Sequence, residues 1–190
     1  LKNQNFYEII RELIDFAKYR YNRDYIRRYQ DTDFVLYQKY TYEDACRLLG
    51  WEHNEGPLNI GGYKYDKRTK TFPVFINYDK ADDIQDTVKY EDHFTSPDRL
   101  IAISKSNRTK QSDDVQNFLH AKERGISVEL FVRKNKDDKI SKEFYYLGRM
   151  KATGRAEEFI MPNTTSSAVE IEWVLDTPVR SDIYEYITNA

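Results

Sequence analysis

Seven residues in the middle of the chain combine what is needed to read a single base, flat rings and hydrogen-bonding groups. Tyr63 and Tyr65 fall on one face of a short extended run. Asn77 and Tyr78 close the run Pro73-Val74-Phe75-Ile76-Asn77-Tyr78, and Tyr90, Glu91 and Asp92 follow. Rings stack on the faces of an extruded base while a carboxylate or amide meets its Watson–Crick edge. Cytosine asks for an acceptor opposite its amino group, which Glu91 or Asp92 supplies, and a methyl group asks for a ring or an aliphatic wall. The competing reading is an aromatic sheet face packed against a helix, which serves each tyrosine equally well.

A second set has the composition of a phosphate contact. Ser104 to Ser112 holds three positive charges, four hydroxyls and no acid, and Lys105, Ser106, Asn107, Arg108, Thr109 and Lys110 are the candidate donors to phosphate oxygens. A helix starting after Ser112 adds the positive end of its dipole. A plain solvated turn would also look like this. Lys64, Lys67, Arg68 and Lys70 extend the basic surface, and Arg149, Lys151 and Arg155 form a weaker third group.

Catalytic signatures fail one by one. Gly61-Gly62 runs into Tyr63-Lys64-Tyr65 and not into the Gly-Lys-Ser/Thr of a phosphate-cradling loop. His120-Ala121-Lys122 begins a phospholipase D-type nuclease pattern, but Ser127 stands where its Asp belongs. Glu170 and Glu172 share a strand face whose next residue is Val174, not the Lys of a metal-dependent nuclease. His53, His93 and His120 are scattered, and Cys46 is the single cysteine, so neither a metal cluster nor an internal disulfide is expected. The expectation is a chain with no catalytic residue, no metal and no cofactor.

The elements that must hold these groups follow from periodicity. Phe6, Ile9, Ile10, Leu13, Ile14, Ala17, Tyr21 and Tyr25 predict one amphipathic helix from Phe6 to about Tyr29. An extended segment at Phe34 to Tyr40 leads to a short helix opened by a Thr41/Asp44 capping box and stopped at Gly50. A Gly/Asn/Pro-rich loop reaches Gly62, and Tyr63–Tyr65 and Phe72–Tyr78 then read as a hairpin around Asp66 to Lys70. Strands at Leu100–Ser104, Val128–Arg133, Phe144–Ala152 and Ala168–Val174 follow. Between the first two lies a helix at Asp113–Arg124, capped by Ser112 and closed at Gly125, and a last helix spans Ser181–Ile187. Helices and strands do not alternate, so the predicted class is α+β, a curved antiparallel or mixed sheet or barrel with flanking helices.

Composition sets the limits. A net charge of −2 excludes an indiscriminate polycation, so any nucleic-acid surface must be local. The 16 Tyr, 10 Phe and 2 Trp suit either a recognition surface or a core rich in rings. No stretch approaches the roughly 20 apolar residues of a membrane span, and no signal peptide is visible, so a reducing cytoplasm is the expected home. The chain opens on Leu1 and enters a helix at once, which reads as a fragment of something longer.

Four segments in order carry a family resemblance: Pro57-Leu58-Asn59-Ile60-Gly61-Gly62-Tyr63, Pro73 to Lys80, Tyr90-Glu91-Asp92-His93-Phe94 and Phe144-Tyr145-Tyr146-Leu147-Gly148. From about Phe34 onward the chain resembles the uncharacterised C-terminal domain of bacterial superfamily II helicases that carry an N-terminal phospholipase D-like nuclease. The resemblance implies a recognition domain of a modification-dependent (type IV) restriction enzyme. Its partners would be duplex DNA containing 5-methylcytosine or 5-hydroxymethylcytosine, and helicase and nuclease domains upstream in the same polypeptide. It also implies a fold like the SET-and-RING-associated (SRA) domain, which turns 5-methylcytosine out into an aromatic pocket. Residues 1–32 would then be a helical connector and 33–190 the recognition domain. The alternatives are a module that docks to the helicase motor and a cryptic metal-dependent nuclease.

Overall fold

The computed structural model describes residues 4–24, 27–53, 60–79, 92–135 and 142–189. Helix α1 (Gln4–Asp24) is followed by a two-residue strand β1 (Lys39–Tyr40) and helix α2 (Tyr42–Leu48). Then come β2 (Thr71–Asp79), β3 (His93–Ser96) and β4 (Arg99–Ile103). Helices α3 (Asp113–Leu119) and α4 (Ala121–Arg124) lead to β5 (Ser127–Asn135), β6 (Phe144–Ile160), β7 (Ser167–Leu175) and α5 (Ser181–Thr188).

One mixed sheet runs in the order β2-β5-β6-β7-β4-β3, with β1 added beside β6. Among the described strands, only β2 and β5 pair in parallel. The sheet curls because β6 is 17 residues long and serves two half-sheets, pairing with β5 through residues 145–149 and with β7 from Met150 to Ile160. It bends at two irregularities, one beside Gly148 and one between Ala152 and Ala156, where Gly154 takes φ 94°. Extra residues in one strand of a pair bend it and increase its twist.

Alternation on β2 and β5 splits the core in two. Phe72, Val74 and Ile76, with Val128, Leu130 and Val132, face the larger cluster, which α3 and α5 cover through Val115, Phe118, Ile183 and Ile187. Phe75 and Phe131 face the other way, toward Phe34, Tyr40, Cys46, Phe144 and Tyr146. With both faces buried, β5 carries two inward polar residues, Glu129 and Arg133, only 1% and 8% exposed.

Most of the predicted elements are found, but the first helix ends at Asp24 and not near Tyr29, β3 was not expected, and five further differences follow. The Phe34–Tyr40 segment is mostly irregular, with a turn at Leu36–Tyr37 and a strand only at Lys39–Tyr40. Tyr63–Tyr65 is not a strand: the hairpin path is held by two isolated bridges, Tyr63 to Val74 and Asp66 to Thr71. The helix expected over Asp113–Arg124 breaks at His120, and the Ser112 hydroxyl does not cap it but accepts from the Thr109 N–H at 3.0 Å. Strand β6 runs eight residues past Ala152, since its bulges keep pairing with β7. Finally, α1 is a helix whose apolar side is not covered: Ile9, Leu13 and Phe16 are 56%, 56% and 59% exposed. The Thr41/Asp44 capping box is formed as expected.

Candidate nucleic-acid interface

Three segments converge on one small cavity. The Gly61-Gly62-Tyr63 turn, the middle of β2 and the end of β4 with Asp92 enclose about 150 Å³. An apolar cavity of about that size accepts one benzene ring. Val74, Ile76 and Ala102 are among its apolar lining residues, and Asp92, Ser104 and Lys105 are among its polar ones. Gly61 and Gly62 take φ +52° and +91°, and nothing lies within 4 Å of where a Cβ on Gly62 would stand, so the turn leaves the space beside it open.

Asp92 is fixed at this cavity because its Oδ1 accepts the Ile103 N–H at 2.8 Å. Tyr63 is a pillar beneath the turn. Its ring packs edge-on against Phe72 and Phe118, and its hydroxyl accepts the Lys105 N–H at 3.0 Å and donates to Asp114 Oδ2 at 2.9 Å. Burial, with the Asp114 carboxylate beside it, pushes the Tyr63 phenol well above its ordinary value. Lys105 reaches back under the turn, its Nζ donating to the carbonyls of Ile60 at 3.0 Å and Tyr63 at 2.8 Å and lying 4.6 Å from the centre of the Tyr63 ring. Burial holds its ammonium below the usual lysine value, and Arg108 and Lys64 add repulsion that Asp114 partly offsets.

Asp114 binds the cavity to the basic loop, since it also accepts Arg108 Nε at 2.7 Å. Burial would raise this carboxyl, but the hydrogen bonds from Arg108 and Tyr63 outweigh that and hold it below the ordinary carboxylate range. Arg108 therefore stands as a brace of the loop, its own N–H donating to the Ser167 carbonyl at 3.3 Å. The loop is further pinned by the Lys110 N–H donating to Glu158 at 2.5 Å and by Gln116 donating to the Lys110 carbonyl at 2.7 Å. Asn107 sits at its tip with φ 60°, and Ser106, Asn107 and Thr109 are exposed.

Of the residues picked for a base pocket, Tyr63 and Asp92 meet at the cavity, and Lys105 joins them from the phosphate set. Tyr65 lies against Phe72, 5.4 Å between ring centres. Asn77 accepts from Arg133 Nε at the far end of β2. Tyr78 stacks on Phe94 at 5.9 Å and accepts the Phe94 N–H at 3.3 Å. Tyr90 and Glu91 lie outside the described residues. The third basic group is neutralised: Arg149 pairs with Glu129 and Asp31, Lys151 with Asp176, and Arg155 with Glu172. Around the turn after Tyr65, Arg68 donates to the Gly50 carbonyl and Lys70 to that of Arg124. Sequence reading missed Asp114, whose partner Tyr63 is 51 residues away, and the role of Lys105 inside the cavity.

Among solved structures, the chain is similar to KRYPTONITE in complex with mCHH DNA, an H3(1-15) peptide and SAH, with TM-score 0.50 and 10% identity, covering 84% of this chain and 36% of that one. It is similar to the SUVH5 SRA complex with hemi-methylated CG DNA (TM-score 0.49, 12% identity, 76% and 91% covered). It is also similar to Arabidopsis thaliana SUVH6 in complex with SAM (TM-score 0.49, 11% identity, 80% and 28% covered). At such identities the likeness is one of fold, an α+β domain with a curled mixed sheet and flanking helices. The chain belongs to the family described as a domain of unknown function (DUF3427), whose model matches residues 34–187. No curated protein matches it.

Proposed function

We propose that this chain is the DNA-recognition domain of a modification-dependent (type IV) restriction enzyme of the SauUSI kind, and that its cavity receives 5-methylcytosine turned out of the duplex. The observation that carries the reading is the ring-sized cavity whose lining includes both Asp92 and the aliphatic residues Val74, Ile76 and Ala102. The carboxylate is the acceptor that a cytosine amino group needs, and the aliphatic wall is the surface a 5-methyl group prefers. Ser106, Asn107 and Thr109, exposed on the adjacent loop, are the donors for phosphate oxygens. The chain binds and does not cut; helicase and nuclease domains of the same cytoplasmic polypeptide supply the motor and the cleavage.

Energetics limit what the methyl can do. Its burial contributes about 1 kcal/mol, roughly fivefold in affinity. Rejection of other bases must come from hydrogen bonds left unmade in the cavity. The test is binding of the chain, at stated salt, to duplexes differing only in one cytosine, unmodified, 5-methylated or 5-hydroxymethylated. Tighter binding to a modified duplex, reduced toward the unmodified level by Asp92→Asn with the melting temperature retained, is the expected result. Equal binding to all three would sink the reading. The exposed apolar side of α1 favours a second reading, a module that docks to the helicase motor, and that reading predicts no duplex binding at all.

A further inference from the structure

Among the described residues, helix α1 contributes nothing to either core cluster. Helical periodicity nevertheless gathers Phe6, Ile9, Ile10, Leu13, Ile14 and Phe16 on one side of it, and each is between 38% and 59% exposed. Tyr7, 56% exposed, stands at the edge of this row. About half of each residue is open to solvent, on the order of 100 Å² apiece, which makes a face of about 700 Å². That exceeds the roughly 300–600 Å² of the largest apolar patch on an ordinary monomer. Two such faces laid together would remove about 1,400 Å² from water, inside the range of roughly 1,200–2,000 Å² for a specific interface.

We propose that this face is covered by α1 of a second copy of the chain, packed antiparallel across a two-fold axis. Charge sets both the partner and the direction. Glu8, Glu12 and Asp15 outnumber Arg11 in the first twelve residues of α1, and Lys18, Arg20 and Arg23 outnumber Asp24 in the last nine, so the halves carry −2 and +2. An antiparallel pair lays each acidic half along the other copy's basic half, whereas a parallel pair sets like on like. The helix's own dipole does not account for the division: its influence is confined to the first and last turns, and the first turn of α1 holds no acid. A two-fold interface requires one surface that complements itself, and a continuous apolar side between halves of opposite charge meets that requirement. Twenty-one residues of helix give such a pair a length of about 30 Å.

The experiment is sedimentation equilibrium of the chain from micromolar to millimolar concentration, at low and at high salt. The expected result is a monomer–dimer equilibrium that weakens as salt rises. Leu13→Asp, in the middle of the face, should weaken the dimer at least a hundredfold, the scale of a charge buried without a partner. Glu8→Lys with Glu12→Lys should weaken it roughly tenfold at low salt, because exposed charges count for little singly but two-fold symmetry uses each pair twice. Adding Lys18→Glu and Arg23→Glu to that variant reverses both halves and should restore the dimer. Lys67→Glu, exposed and outside α1, should leave it unchanged. If Leu13→Asp unwinds α1, as circular dichroism would show, the charge-reversed set on the polar side of the helix still decides. A monomer at every concentration overturns the proposal and leaves the face to a different protein surface. A dimer that Leu13→Asp leaves intact, or one indifferent to the Glu8 and Glu12 reversals, overturns it as well, the first by placing the contact elsewhere and the second by making the pair parallel.

Discussion

Glu129 and Asp114 are each met by a tyrosine hydroxyl and an arginine Nε, yet the two clusters are built to different ends. Glu129 is 1% exposed and takes Tyr146 at 2.6 Å, Arg149 at 2.9 Å and Ser127 at 2.5 Å. Arg149 is held again from outside by Asp31 at 2.6 Å and Gln30 at 3.2 Å. The group is closed, with its donors and acceptors spent on one another between the sheet and the segment that leads from α1. Asp114, with 19% of its side chain exposed, takes Tyr63 and Arg108, and through Tyr63 it reaches Lys105, which lines the cavity. The same chemistry makes a clamp where it is closed and a site where it is left open. The clamp should therefore govern stability, and the open cluster should govern recognition.

Glu129→Ala gives the largest expected effect. It leaves a largely buried guanidinium and a buried phenol without their carboxylate, and breaking such a pair costs about 3–5 kcal/mol. Urea unfolding should register that loss, while the ranking of duplexes by the surviving folded protein stays unchanged. A loss below about 1 kcal/mol, on the scale of an exposed pair, would break the comparison.

The two regions also differ at their glycines. Gly148 lies at the bend of β6 with φ +93°, and a Cβ there would stand 3.1 Å from Tyr29 Cζ and 3.2 Å from Leu36 Cδ2. Gly148→Ala therefore adds overpacking to backbone strain, about 2–4 kcal/mol together. Gly62 has a similar φ of +91° but no neighbour within 4 Å, so Gly62→Ala carries the strain alone, about 1 kcal/mol. Its larger consequence should appear in duplex binding, since the turn forms the rim of the cavity. Denaturation and binding measured on both variants give two orderings, and the comparison requires them to be opposite.

What was legible in the sequence follows the range of the forces involved. The Thr41/Asp44 cap and the alternation of Val128, Leu130 and Val132 are local, and both are realised. The break of α3 from α4 at His120 and the diversion of the Ser112 hydroxyl to Thr109 arise from the packing of the basic loop, which has no local signature. The parallel pairing of β2 with β5 joins strands far apart in the chain, and the length of β6 rests on bulges that look like ordinary glycines in a strand. At the site, residue types were readable and partners were not. From sequence Tyr63 reads as a ring to stack on a base; in the structure its hydroxyl is tied to Asp114 and Lys105. From sequence Arg108 reads as a phosphate contact; in the structure it braces the loop through Asp114.

Asp114→Asn separates those two roles at a modest energetic cost. The amide keeps the shape but loses the charge, weakening one charge-assisted bond and one tyrosine bond, for about 1–2 kcal/mol of stability. Freed from its carboxylate, Arg108 becomes available to phosphates, so the dependence of log affinity on log salt should steepen by about one unit for every duplex, modified or not. Discrimination should narrow, because Tyr63 and Lys105 lose the anchor that aligns them. Acid removes the same anchor. The Asp114 carboxyl is held below its ordinary value in the folded chain, so its stabilisation is complete above the unfolded-state value of about 3.9 and is lost as pH falls through the depressed folded one. The stability gap between wild type and Asp114→Asn should thus be flat at neutral pH and close only below about pH 4. Asp31 and Asp66 are depressed as well, but they are common to both proteins and cancel in the difference. A gap that closes near neutral pH would mean that another group carries the anchor.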